Sequence, residues 1–234
     1  MKNCIGSAMI LFALCVCAFS CNSNEIGNSK DVNPETIYIY YAVSYDDGDD
    51  SVSCYLQYRF AGENGTTLVL NSPAAVKIDD IEIPVDSNNV SGAFYLKNFY
   101  AKTFTGKHNI DYIDINGKHH QEQFSFDPVV LTTVIPPAIK RTDIVLDFSG
   151  HLSDDVATVT IEDSSVQTVD VHYAATLAKG RIVVPAEELQ PLTNGPLKIY
   201  ISKTVTPAFQ HPTQEAGMFA VMYGIKEIET ALKD

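Results

Sequence analysis

Three observations predict an all-β protein made of two successive antiparallel β-sandwiches. Short apolar segments alternate with Asp, Ser, Asn and Gly turns along the chain. No segment before Ile135 has helical periodicity, and Ile135-Pro136-Pro137 breaks the strand pattern near the middle. Period-two alternation marks strands with one buried face, and several at regular spacing close into a sandwich. Neither proline can donate to a sheet ladder, so the boundary between sandwiches falls there, giving domains 36–136 and 137–234.

The clearest strand is Ser51 to Phe60. Val52, Cys54, Leu56, Tyr58 and Phe60 fall on one face and Ser51, Ser53, Tyr55, Gln57 and Arg59 on the other. That phase buries Cys54, where a free thiol behaves as a small hydrophobe. Ile37 to Tyr45 precedes it, and Asp46-Asp47-Gly48-Asp49-Asp50 reads as the hairpin loop between them. Further strands are expected at Thr67 to Leu70, Ala75 to Ile78, Ile81 to Val85, Ala93 to Tyr100 and Asn109 to Ile115. Asn116-Gly117, a strong hairpin signal, then leads into Lys118 to Phe126. After the prolines, strands are expected at Asp143 to Phe148, Val156 to Ile161, Val166 to Tyr173, Arg181 to Val184, Leu197 to Thr206 and Met218 to Ile225. Pro185 to Leu189 suits one helical turn, with proline at its start and acidic residues at its positive end.

The N-terminus is an apolar run from Cys4 to Phe19 behind Lys2, the length of a secretory signal rather than of a spanning helix. Its end, Ala18-Phe19-Ser20-Cys21, resembles a lipobox, the looser form found in Bacteroidota-type lipoproteins; Ala18-Phe19-Ser20 also fits ordinary signal cleavage. Both routes remove residues 1–20 and leave Cys21 first. The lipobox resemblance implies acyl chains on Cys21, membrane attachment through them, and an outer-membrane location, on a face left open. Residues 21–35 are polar and read as a flexible tether with a coil span of about 20 Å.

The formal net charge of −13 argues against nucleic acid or anionic lipid surfaces as partners, since both call for clustered Lys and Arg. Cleavage leaves Cys21 and Cys54, too few for a cysteine-based zinc site and, with Cys21 lipidated, for an intrachain disulfide. Asp46, Asp47, Asp49 and Asp50 around Gly48 are the candidate metal ligands, because Ca²⁺ takes several oxygens and glycine permits a tight turn. Solvated hairpin charge is the competing reading. His120 and Glu122 share one face of their strand, with Asp111 or Asp114 across the hairpin as further ligands for a metal; a polar exposed face is the reading taken. His172 and His211 show no nucleophile nearby, and no nucleophile elbow, Walker loop, dinucleotide fingerprint or His-Glu-x-x-His is present. No cofactor and no catalytic residue is assigned. Twelve tyrosines without tryptophan leave Tyr38, Tyr40 and Tyr55 as an outward aromatic set, a recognition surface or ordinary cross-strand pairs.

The second half resembles an immunoglobulin-like domain, in the order of a strand ending Val183-Val184-Pro185, a helical turn, then Thr193-Asn194-Gly195-Pro196 into Leu197-Lys198-Ile199-Tyr200-Ile201. It lacks the Cys…Trp…Cys pattern of antibody domains. Lipobox, tether and paired sandwiches together resemble two-domain outer-membrane lipoproteins of Bacteroidota with unassigned function. The expectation is a lipid-anchored, non-enzymatic binding or assembly module with a protein or glycan partner. The alternatives are a pilin-like structural subunit and, third, a hydrolase or metal-dependent enzyme.

Overall fold

The computed structural model describes residues 25–150, 152–164 and 170–234. The signal segment 1–20, Cys21, the first tether residues and the expected strand start at Val166 lie outside the described residues. The strands are β1 (Ile26–Asn28), β2 (Ile37–Asp46), β3 (Ser51–Phe60), β4 (Thr66–Val69), β5 (Ala75–Ile78), β6 (Ile81–Glu82), β7 (Val85–Asn88), β8 (Gly92–Tyr100) and β9 (Gly106–Ile113). They continue as β10 (His119–Phe126), β11 (Val129–Leu131), β12 (Ile139–Lys140), β13 (Ile144–Gly150), β14 (Val156–Asp163), β15 (Asp170–Thr176), β16 (Arg181–Val184), β17 (Gly195–Val205) and β18 (Gly217–Lys233). The protein is all-β, and Ala186–Leu189 forms the expected single helical turn, of 3-10 type. Among the described residues no helix is long and apolar enough to cross a membrane.

One eleven-stranded sheet runs through both halves in the order β1-β4-β3-β2-β18-β17-β14-β15, with β8 and β7 continuing from β3 and β12 beside β18. A four-stranded sheet, β10-β9-β5-β6, packs on its inner face in the first half. Rings of Tyr58 and Tyr112 meet there at 4.6 Å, and those of Phe124 and Phe219 at 5.6 Å. In the second half Leu146, Ile182 and Val184 of the sheet β11-β13-β16 bury with Val159, Ile161, Ile199 and Ile201. The buried apolar side chains form one contiguous cluster from Ile37 to Leu232. The arrangement is thus sandwich-like in each half, with one sheet shared between the halves.

Most strand pairs are antiparallel, as the turn spacing predicts, with three parallel exceptions: β1 with β4, β12 with β18, and β18 with β2. The last joins the halves, running from Gly217 beside Ile39 to Gly224 beside Asp46. Backbone closeness at this seam requires glycine. A β-carbon on Gly217 would lie 2.0 Å from the Ile39 carbonyl oxygen. β18 continues to Lys233, past the end expected at Ile225, and its register shifts against β17 between Ile201 and Ser202. Burial falls on Phe219, Val221, Tyr223 and Ile225 before the shift and on Thr230 and Leu232 after it, so a single alternation does not span the strand.

Residues from Glu25 onward are also more ordered than a free tether. Gly27 and Asn28 pair with Leu68 and Val69, Ser29 is buried, and Thr67 Oγ1 donates to the Glu25 carbonyl at 2.8 Å. Backbone pairing holds this polar stretch, so its lack of apolar residues does not leave it loose.

The first-half core is rich in tyrosine. Tyr41 and Tyr58 hydroxyls lie 3.2 Å apart, with the rings of Tyr95 and Tyr112 at 5.6 Å and 4.6 Å from that of Tyr58. Burial pushes Tyr41, Tyr58 and Tyr112 well above the ordinary phenol range, and Tyr95 and Tyr223 to about 12. The folded state therefore keeps protons that the unfolded chain releases above pH ~10, so their contribution is whole below pH ~10 and is lost as pH rises toward about 12. Each such group lowers stability by up to about 1.4 kcal/mol per pH unit in that window. Denaturant midpoints measured from about pH 8 to about pH 11 are expected to be flat at first and then fall steeply. Tyrosinate absorbance should rise with unfolding, and an unchanged midpoint at the alkaline end would remove this account. Cys54 is fully buried with its thiol raised to about 12 by burial, the core position expected from alternation.

Candidate functional site

The outward alternation of β2 and β3 places Tyr38, Tyr40 and Tyr55 together on the solvent side of the shared sheet, half-buried. Register adds residues far apart in sequence: Tyr40 lies between Met218 and Gln57, and Ala42 lies between Ala220 and Tyr55. The two alanines are nearly covered, forming a floor between the larger side chains. Tyr40 and Tyr55 meet edge-on at 6.1 Å, and Tyr55 stacks on Phe94 at 5.4 Å. Leu96 and Met218 extend the patch, each 40% exposed.

A fixed cation borders these rings. Gln57 Nε2 donates to the carbonyls of Ser91 (2.6 Å) and Ala93 (3.0 Å), which leaves its Oε1 to accept from Arg59 Nε (2.9 Å) and Nη2 (2.5 Å). Arg59 Nη1 also donates to the Glu63 carbonyl. Burial pushes the Tyr38 and Tyr55 hydroxyls above the ordinary range, with Glu63 reinforcing the effect at Tyr38. The patch offers broad aromatic and thioether area, hydroxyl tips and a held guanidinium, a composition suited to recognition.

The four aspartates are all exposed at the β2–β3 hairpin. Asp46 ends β2 and its carbonyl accepts from the Asp49 N–H (3.0 Å); Asp47 is paired with Lys226 Nζ at 2.7 Å; and the Asp50 carbonyl accepts from the Ala101 N–H (2.9 Å). Among the described residues no three His, Cys, Asp or Glu side chains converge as ligands for a metal ion.

The reading of His120 and Glu122 as an exposed face is overturned: each is 1% exposed, as is Asp114. β10 alternates strictly, so both residues share the inward phase of Phe124 and Phe126. That phase was the available signal. Their partners are in the 206–216 connection between β17 and β18, which crosses the first half as a strap. Glu122 accepts the N–H groups of Gln210 (2.5 Å) and His211 (2.8 Å), while His120 Nδ1 lies 3.1 Å from the His211 carbonyl. His211 Nδ1 contacts the Gln121 carbonyl at 2.7 Å, and Thr213 Oγ1 donates to the Ile37 carbonyl at 2.6 Å. Asp114 caps the β9–β10 turn by accepting from Asn116 N (2.8 Å) and Lys118 N (3.0 Å). Asp111 pairs with the exposed His119 at 2.8 Å. His172 is exposed and contacts Thr160 Oγ1 at 3.1 Å. Glu122, His211 and Asp114 thus each tie their own strand or loop to backbone groups.

No family model and no curated protein matches the chain. A solved structure that does match is a tetra-tandem repeat in the extending region of a large adhesion protein, at 13% identity and a TM-score of 0.28. The match covers 83% of this chain and 49% of that one, so the chain spans about half the length of that structure.

Proposed function

We propose that this protein is a non-enzymatic binding module of the cell envelope, held at the outer membrane by lipid on Cys21. It presents the outer face around Tyr40 and Tyr55 to a protein or glycan partner. The observation that carries the reading is the contiguous patch of Tyr38, Tyr40, Tyr55, Leu96 and Met218 beside a fixed Arg59. Tyr and Arg are the side chains most able to concentrate binding energy at a desolvated surface. Both carboxylate oxygens of the buried Glu122 are taken up by backbone N–H groups of the strap, which supports a binding role over a chemical one.

Two measurements test the parts separately. A photoreactive residue at position 40, in cells producing the full chain, should give discrete cross-linked products. These should fall by about tenfold or more when Tyr38 and Tyr55 are replaced by serine, in a variant that still unfolds cooperatively. Products that persist at full yield in that variant exclude this face. The Cys21→Ser chain should leave the membrane fraction, and its retention there would refute the lipid anchor.

A further inference from the structure

Among the described residues β15 is a sheet edge with no further strand beside it; the turn Ala186–Leu189 and β16 approach it without pairing to its open side. An edge strand exposes unpaired N–H and C=O groups, and proteins shield such edges by short length, proline, lysine, a bulge or a covering loop. The strands ending the other sheet paths here are shielded in those ways. β1, β11, β6 and β16 have 3, 3, 2 and 4 residues, and β7 has 4. β10 is longer, with 8 residues, but the strap fastens along it through His211 and Gln121. β15 instead runs 7 residues in unbroken register with β14, from Asp170 beside Glu162 to Thr176 beside Val156. It contains no proline or lysine, and among the described residues no strand pairs with its other side.

We propose that two copies of this chain join through this edge, β15 pairing antiparallel with β15 of a second copy about a two-fold axis at Tyr173. This goes beyond the binding face and does not rest on it: β15 lies four strands from β2, about 19 Å at ordinary strand spacing. The sequence of β15 is self-complementary in that register. Val171 meets Ala175, the large His172 meets the small Ala174, and Asp170 meets Thr176, so no like charges stand opposite one another. The two Tyr173 rings meet on the inner side, where Tyr173 and Ala175 are only partly buried in a single copy. Lys179 is exposed in the turn that follows β15, three residues past Thr176, the position opposite the second copy's Asp170, and offsets part of the acidic charge. Moving the axis to His172 would set two histidines face to face and shorten the ladder, and a one-residue slip would turn one inner face to solvent.

The register gives the test. In cells co-producing two tagged forms of the full chain, His172→Cys in one and Ala174→Cys in the other, mild oxidation should yield a disulfide joining the two tags. Each form alone should give little, and buried Cys54 does not compete. In detergent extracts the unsubstituted chain should sediment at twice the mass of its Ala174→Lys variant, whose lysine guards the edge without touching the core. No mixed-tag product, equal yields from the single forms, or an unchanged mass for Ala174→Lys would each overturn the proposal. A Tyr40→Ser chain should keep the cross-link, so failure here and failure of the tyrosine face are told apart.

Discussion

Glu122→Ala is expected to lower the free energy of unfolding by about 2–6 kcal/mol, since it leaves the Gln210 and His211 N–H groups without their acceptor and each such loss costs about 1–3 kcal/mol. That is a large share of the 5–15 kcal/mol typical of a folded domain. Glu122→Gln keeps one acceptor oxygen but turns an amide N–H₂ toward a second donor, so it should fall between alanine and the native chain. Denaturant unfolding would rank the three. Proteolysis within 206–216 would show whether the strap is what comes loose, because freeing it exposes Phe209, whose ring sits 5.7 Å from Tyr41 and 5.9 Å from Phe219. An alanine variant as stable as the native chain would mean that the strap is held by its aromatic contacts and its remaining hydrogen bonds, without need of Glu122.

Gly217→Ala should cost at least about 3 kcal/mol, the upper end for forcing extra volume into a packed site, because its β-carbon meets backbone that has nowhere to go. Gly224→Ala supplies the control at the other end of the same seam. Its β-carbon would lie 1.9 Å from Asp46 Oδ1, the end of an exposed side chain that can rotate away, so the loss should be smaller. Measured midpoints in the order native, Gly224→Ala, Gly217→Ala would support the close parallel approach of β18 to β2. The reverse order would place the tight contact elsewhere.

Local alternation made much of this fold legible, and its limits are equally physical. β3, β5 and β16 fall where period-two patterning puts them, because each buries one face along most of its length; in β3 the alternation fails at Gln57, buried on the outward face, and at exposed Phe60. The outward set of Tyr38, Tyr40 and Tyr55 follows from the same rule. Phe94, Leu96 and Met218 join that patch only through pairing register, which alternation within one strand does not encode. His120 and Glu122 show the opposite case. Their phase with Phe124 and Phe126 marked them as buried, but residue type suggested solvent, and the backbone donors that satisfy Glu122 lie some ninety residues away. The parallel seam was hidden for a related reason: a strand boundary at the prolines gives two self-sufficient halves, whereas β18 serves both.

That shared strand sets an order on folding. Residues 39 and 217 must find each other before β2 has its second neighbour, so a nascent chain carries β2 with one side open until β18 has been made. Contacts of such sequence separation form slowly, since the loop must close before it is rewarded. The first half therefore reaches its final state as a late partner of the second, and any escort protein that binds the incomplete chain would meet an unsealed tyrosine core.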